Sequence, residues 1–348
     1  MKKIYMYIII SMKIMESDYL KKIGIIFLVG IIICSIYPKL SNIDYAEELL
    51  KINKSQENLN EVVAFNNTSI ENFQNIKIGD NKEYLLSQIG KPARIDESEY
   101  NFKWYVYNQY NTKFAMVGVY DDKVVALYSN SMDSIEMENI KLNKHNIDYV
   151  RENYEPLEYK RKGNTRYIIN SQDQYDIIKE NNKYITVFYD IYENNRVCSY
   201  QIIDSKSELS LDGIYPKDSE ELRKSFELQV IDLTNSVRQQ YGLNKLEYSL
   251  NATDSSRLHS EDMMKKNYFD HINKENETPF DRMKDEGIEY VGAGENIAAG
   301  QASAIYAHEA WMDSKGHRKN ILGDYKYIGV GIVFGGYYTI YYTQNFYI

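Results

Sequence analysis

Residues 294–300 read GENIAAG and residues 311–322 read WMDSKGHRKNIL. Around these two stretches lie four of the chain's five histidines: His259, His271, His308 and His317. Imidazole and carboxylate are the groups that ligate metals and move protons near neutral pH. Glycine-flanked Glu295 among histidines therefore marks a candidate site. The competing reading is a polar network that pins a fold together, as buried polar groups often do.

Working outward, Leu222, Phe226, Val230, Leu233, Val237 and Tyr241 recur every three or four residues, which predicts a helix with one buried face. Asp218 and Glu221 have capping-box spacing at its start, and Gly242 ends it. A second helix is expected from Asn251, a favoured N-cap type. Ala252, Ser256, His259 and Met263 share one face of it, so His259 points inward. Thr278-Pro279 opens a short helix that Gly287 closes. Two alternating runs joined by Gly335-Gly336 predict a β-hairpin at the C-terminal end.

The stretches at 257–271 (RLHSEDMMKKNYFDH), 294–300, 311–322 and 328–347 (IGVGIVFGGYYTIYYTQNFY) together resemble a bacterial CAP domain, of the superfamily of cysteine-rich secretory, antigen 5 and pathogenesis-related proteins. The resemblance covers about residues 225–348. It implies an α-β-α sandwich with a groove lined by two histidines and two acidic residues. Carried over by position, these are His271, Glu295 and His317, with the place of the fourth member falling at Ser314, beside Asp313 and near Glu309. On this reading His271 and His317 hold zinc or another divalent ion, with positions left for water or a carboxylate. Glu295 then takes a proton from bound water or fixes a histidine tautomer. Asn296 bonds around the turn and joins His259 as a ligand-lining candidate, although His259 also suits a structural bond from its helix. His308 is expected to be solvated, Trp311 to be core, and Gly294 and Gly300 to serve loop geometry.

The middle of the chain reads as a duplication. A pattern running from Ile76 through Gly90-Lys91-Pro92 returns from Ile140 to Glu155-Pro156, and each copy continues into alternating, tyrosine-rich strands. Asp121-Asp122 and Asn194-Asn195 fall at matching hairpin turns, where such residues tolerate turn geometry. A short helix followed by an antiparallel sheet, present twice (about 76–139 and 140–204), is expected. The region resembles the CAP-associated N-terminal domain found ahead of some bacterial CAP domains, which implies a binding or positioning module. His145 has no acidic or cysteine companion at ligand spacing and reads as a surface residue.

The whole chain is therefore expected to be α+β: residues 1–40 a signal peptide or membrane anchor, 41–75 a polar spacer, 76–204 the duplicated domain, 205–217 a linker, and 218–348 the CAP-like domain. Residues 23–37 are apolar after Lys21-Lys22, as an export signal requires, and Met12 or Met15 would give a more conventional leader. An extracellular or cell-surface location follows. The net charge of −9 and the lack of a basic stripe argue against nucleic acid as partner. Two cysteines, Cys34 and Cys198, offer no disulfide framework. Three functions fit: a binding module for a small apolar or cell-wall ligand, with or without a divalent ion; a metal-dependent hydrolase of peptide or wall substrates with Glu295 as base; or a structural protein whose middle strands meet a protein partner.

Overall fold

The computed structural model describes residues 68–137 and 139–348. The expected leader and most of the polar spacer lie outside these residues. Among the described residues no helix is long and apolar enough to cross a membrane.

The first copy of the repeat opens with helix α1 (Lys82–Ile89), whose N-cap Asn81 accepts the Tyr84 amide at 2.7 Å. Strands β1 (Arg94–Glu97), β2 (Lys103–Tyr107), β3 (Ala115–Tyr120) and β4 (Lys123–Ser129) follow. Asp121 and Asp122 join β3 to β4 with φ of 48° and 56°, the left-handed pair that a tight hairpin turn demands. The second copy also opens with a capped helix but gives the sheet three strands instead of four: α2 (Ile147–Asn153), capped by Asn146, then β7 (Tyr175–Glu180), β8 (Lys183–Asp190) and β9 (Arg196–Asp204). It inserts one extra hairpin, β5 (Tyr159–Lys162) with β6 (Thr165–Ile168).

The two copies do not form two sheets. Their last strands, β4 and β9, pair antiparallel with Ala126 opposite Ile203, giving one seven-stranded sheet in the order β1-β2-β3-β4-β9-β8-β7. Nearly every residue of β4 is buried, so leaving it as an edge would expose apolar positions and an unpaired ladder. One face of the sheet packs Val117, Leu127, Val187 and Ile202 against Leu85 and Ile89 of α1 and Ile147 and Val150 of α2. The segment expected to be a linker opens instead with a short helix, α3 (Ser205–Ser210). Its Glu208 is buried between Lys160 (3.1 Å) and Lys162 (2.8 Å) and accepts the Tyr100 hydroxyl at 2.8 Å.

The C-terminal half begins with α4 (Glu220–Gln240), capped by Ser219 rather than Asp218: the Ser219 hydroxyl accepts the Leu222 amide at 3.0 Å. Likewise α5 (Leu250–Lys266) starts after Ser249, and Asn251 instead donates to the Glu286 carbonyl at 2.9 Å. Strand β10 (Glu247–Tyr248) lies between these helices. Then come α6 (Pro279–Asp285), with a Thr278–Asp281 capping box, β11 (Ala293–Ala299), α7 (Ala304–Met312), α8 (Lys315–Ile321), β12 (Tyr327–Phe334) and β13 (Ile340–Tyr347). The sheet order is β10-β12-β13-β11.

Helices α4 and α7 cover one face through Phe226, Val230, Trp311, Val330 and Ile332. Helix α5 covers the other at very short range. A Cβ on Gly329 or Gly331 would stand 2.2 or 2.0 Å from α5 backbone atoms. This is an α-β-α sandwich. The outer side of α4 and α7 in turn meets the free face of the seven-stranded sheet, where Leu233 and Ile305 join Trp104, Met116, Tyr128 and Phe188 in a shared core.

Candidate functional site

Glu295 sits on β11, opposite Asn345 of β13, with a side chain only 2% exposed. Both of its carboxylate oxygens are occupied. Oε1 lies 2.9 Å from His271 Nδ1, and Oε2 accepts Arg282 Nη2 at 2.7 Å. Arg282, from α6, also donates through Nη1 to the carbonyls of His271 (2.9 Å) and Glu277 (3.1 Å). One guanidinium thus neutralises the acid and clamps the loop that carries His271. Its fixed fork of donors suits that double duty.

The Glu295 contact sets the His271 tautomer: with Nδ1–H donated to a carboxylate, Nε2 is left as the acceptor. The His271 side chain is 45% exposed, and its Nε2 has no hydrogen bond from the described residues. His317 approaches from α8. Burial, and then the neighbouring His271, hold its imidazole below the usual pKa, so it is neutral at pH 7. Its Nδ1 finds no partner among the described residues.

Asn296, on β11, locks the His317-bearing helix α8 to the sheet. Its amide donates to the His317 carbonyl (3.2 Å) and to Gln344 (3.0 Å), and its oxygen accepts Asn320 Nδ2 at 2.9 Å. Asn320 also donates to the Glu295 carbonyl at 3.0 Å. Gly294 lies within β11 rather than in a loop, and a Cβ there would stand 2.7 Å from the Tyr325 hydroxyl. Gly300, at φ +90°, is the true turn glycine.

His259 is fully buried, and its pKa is lowered to about 4 by that burial. Its Nε2 lies 3.0 Å from the Asp270 carbonyl and 3.9 Å from Glu295 Oε1, so it ties α5 to the His271 loop. Trp311 is core and donates its indole N–H to the Ile297 carbonyl at 2.9 Å. The expectation of a solvated His308 is wrong. Helix α7 is buried on most of its circumference between the two sheets, and His308 is inaccessible, with its pKa lowered by burial to about 3. His145 is half-buried and stacks on Tyr149 at 3.7 Å.

No fourth acid reaches the site among the described residues. Ser314 N-caps α8 without a side-chain bond. Glu309 faces the first domain, accepting the hydroxyls of Ser199 (2.5 Å) and Tyr128 (3.2 Å), and Asp313 lines clefts on that same side. Among the described residues no three His, Cys, Asp or Glu side chains are grouped to hold a metal ion. The chain itself offers a metal two imidazoles, short of a closed site.

Residue reading alone missed Arg282 and Asn320. Asn320 falls three residues after His317 on one helix face, a spacing that could have drawn notice; Arg282 carries no such local signal. The His271 loop exposes apolar side chains as well as Asp270. Phe269 and Ile272, 44% and 49% exposed, flank His271 in the chain, and the β12–β13 turn brings the Tyr338 ring to within 6.0 Å of the Phe269 ring.

Residues 78–213 match the family model described as CAP-associated N-terminal, and residues 231–346 match that of the cysteine-rich secretory protein family. The chain is 29% identical over 290 residues to the uncharacterised membrane protein YlbC of Bacillus subtilis strain 168, covering 77% of this chain and 82% of that protein. It is 48% identical over 113 residues to YkwD of the same organism, 32% of this chain and 44% of that one. The crystal structure of an extracellular protein containing a SCP domain from Bacillus anthracis matches with a TM-score of 0.64 and 25% identity, over 82% of this chain and 97% of that chain. A cysteine-rich secretory protein from Staphylococcus aureus shares the fold at a TM-score of 0.63 and 16% identity, over 78% and 91% of the two chains. Residues 78–213 thus match a CAP-associated N-terminal domain, and residues 231–346, which follow it, match a CAP domain of the cysteine-rich secretory protein family.

Proposed function

We propose that this protein acts outside the cytoplasm, secreted or anchored through residues 1–40, as a binding module. It takes a small apolar or wall-derived ligand at the mouth formed by His271 and His317. The carrying observation is the state of Glu295: both oxygens are spent on Arg282 and His271, which makes it a fixture that orients an imidazole. A hydrolase using Glu295 as base would first have to break those bonds. What the His271 loop offers solvent is a ring nitrogen acceptor and, in the same loop, exposed Phe269 and Ile272, with Tyr338 against Phe269. That combination suits a molecule with an apolar body and a hydroxyl or amide donor. A divalent ion held there would take its remaining ligands from water or from the bound molecule. An extracellular setting is supported by the apolar segment at 23–37 and by the likeness to a B. subtilis membrane protein and a B. anthracis extracellular protein.

The test is a titration of the full chain with zinc, and separately with a fluorescent long-chain alcohol, beside the His271→Ala/His317→Ala variant. Saturable uptake of the alcohol, weakened in the variant, is expected; one-site zinc binding lost in the variant would add the ion. No saturable uptake of either probe, in a variant that merely unfolds more readily, would return the cluster to a structural role.

A further inference from the structure

A second cavity, of about 330 Å³, opens where the seven-stranded sheet meets the CAP domain. This is within the size range of small-molecule sites. His271, Glu295 and His317 do not line it. Its walls are aromatic. Tyr175, Phe188 and Tyr306 meet one another edge-on or tilted at centroid distances of 5.3 to 5.8 Å, and Tyr100 stands beside them. The β5–β6 hairpin contributes Tyr167 and Ile168.

The polar lining is unbalanced. Four carboxyl groups line the cleft: Glu99, Glu208, Glu309 and Asp313. Glu208 is answered by Lys160 and Lys162. The other three have no ion-pair partner among the described residues, although Glu99 and Glu309 are only 7% and 8% exposed. Gln301, on the same wall, has a buried side-chain oxygen with no donor. The lining thus has a surplus of acceptors and carboxyl groups, set among rings whose faces attract cations. Burial raises Glu99 and Glu309 to about 7 and Asp313 to about 8. Each is a group that a cation could convert to its charged form in place of a proton.

We propose that this interdomain cleft binds an organic cation, a primary ammonium or guanidinium on a short apolar stem. Glu99 is its counter-ion, and the Tyr100, Tyr175 and Tyr306 rings surround the stem. The same chemistry is carried by a free amine and by a basic side chain of a peptide. The site is independent of the His271 mouth and of the function assigned to it.

The full chain is titrated by calorimetry with cadaverine and with N-acetyl-lysine methylamide, using N-acetyl-norleucine methylamide as the uncharged counterpart. Saturable binding of at least one cation is expected, with the norleucine compound weaker by about tenfold or more, the scale of one charge-assisted hydrogen bond. Glu99→Gln should remove most of that preference without lowering the melting temperature, because it replaces a buried acid by a neutral isostere. Tyr175→Leu, which keeps every charge, should weaken both cations. Preference for the lysine amide identifies a peptide-borne cation, and preference for cadaverine a free one. Equal binding of the lysine and norleucine compounds, no saturable binding of either cation, or a preference untouched in Glu99→Gln would overturn the proposal. Should Glu99→Gln not fold, the lysine-to-norleucine ratio in the wild type and in Tyr175→Leu decides.

Discussion

Glu295 joins three parts of the CAP domain with one carboxylate: its own strand, the His271 loop and helix α6. Removing it strands a guanidinium that is only 8% exposed. Glu295→Ala should therefore cost about 3–5 kcal/mol in denaturant unfolding, far more than His271→Ala, whose ring is half in solvent. His308 makes a different prediction. Its pKa is about 3 in the fold against 6.5 in an ordinary setting, through burial. The unfolded chain then binds the proton first as pH falls. Its contribution to stability is complete above 6.5 and is lost as pH drops toward 3, at up to about 1.4 kcal/mol per unit. His308→Leu should remove that slope, read as a flatter pH dependence of unfolding over this window. The sequence made Glu295, His271 and His317 legible because their neighbours form ordered motifs. It hid Arg282 because nothing local says which way a seven-residue helix faces, and it misjudged His308 because nothing local shows that α7 is covered on nearly every side.

The contact between α5 and β12 is set by two glycines. Gly329 and Gly331 alternate with Ile328, Val330 and Ile332, so one face of β12 is bare for the helix and the other is filled for the core. Gly331→Ala would push a methyl into α5 backbone. It should destabilise by about 3 kcal/mol or more, measured as a fall in the denaturation midpoint. Helix existence was readable from the spacing of Leu222, Phe226 and Val230. The helix starts slipped by a residue or two, because the cap is whichever hydroxyl reaches the N3 amide, here Ser219 and Ser249. The hairpin turns at Asp121-Asp122 and Asn194-Asn195 were readable for the same local reason. The joining of β4 to β9 was not, since a pairing between residues so far apart leaves no trace in either strand's own pattern.

The seven-stranded sheet and the CAP sandwich are joined by a shared apolar core bordered by ion pairs, Arg94 to Asp232 at 2.6 Å and Arg318 to Asp190 at 2.9 Å. Within this junction Glu309 faces Tyr128, Cys198 and Ser199, with Asp190 and Asp313 nearby. Its pKa is raised from 4.5 to about 7, chiefly by burial. A raised acid stabilises the fold while it holds its proton. The contribution is complete below 4.5 and is lost as pH climbs through 7. Thermal stability should fall as pH rises across that interval, and Glu309→Gln should flatten the trend. The shared core also bears on how the chain is made. Synthesis delivers Phe102, Trp104, Met116 and Phe188 well before Leu233 and Ile305, so the nascent first domain waits with a greasy sheet face uncovered until the rest of the polypeptide arrives. Chains cut short after residue 204 should stick to one another or to chaperones, and the sheet face is covered only when the chain's own second half closes over the first.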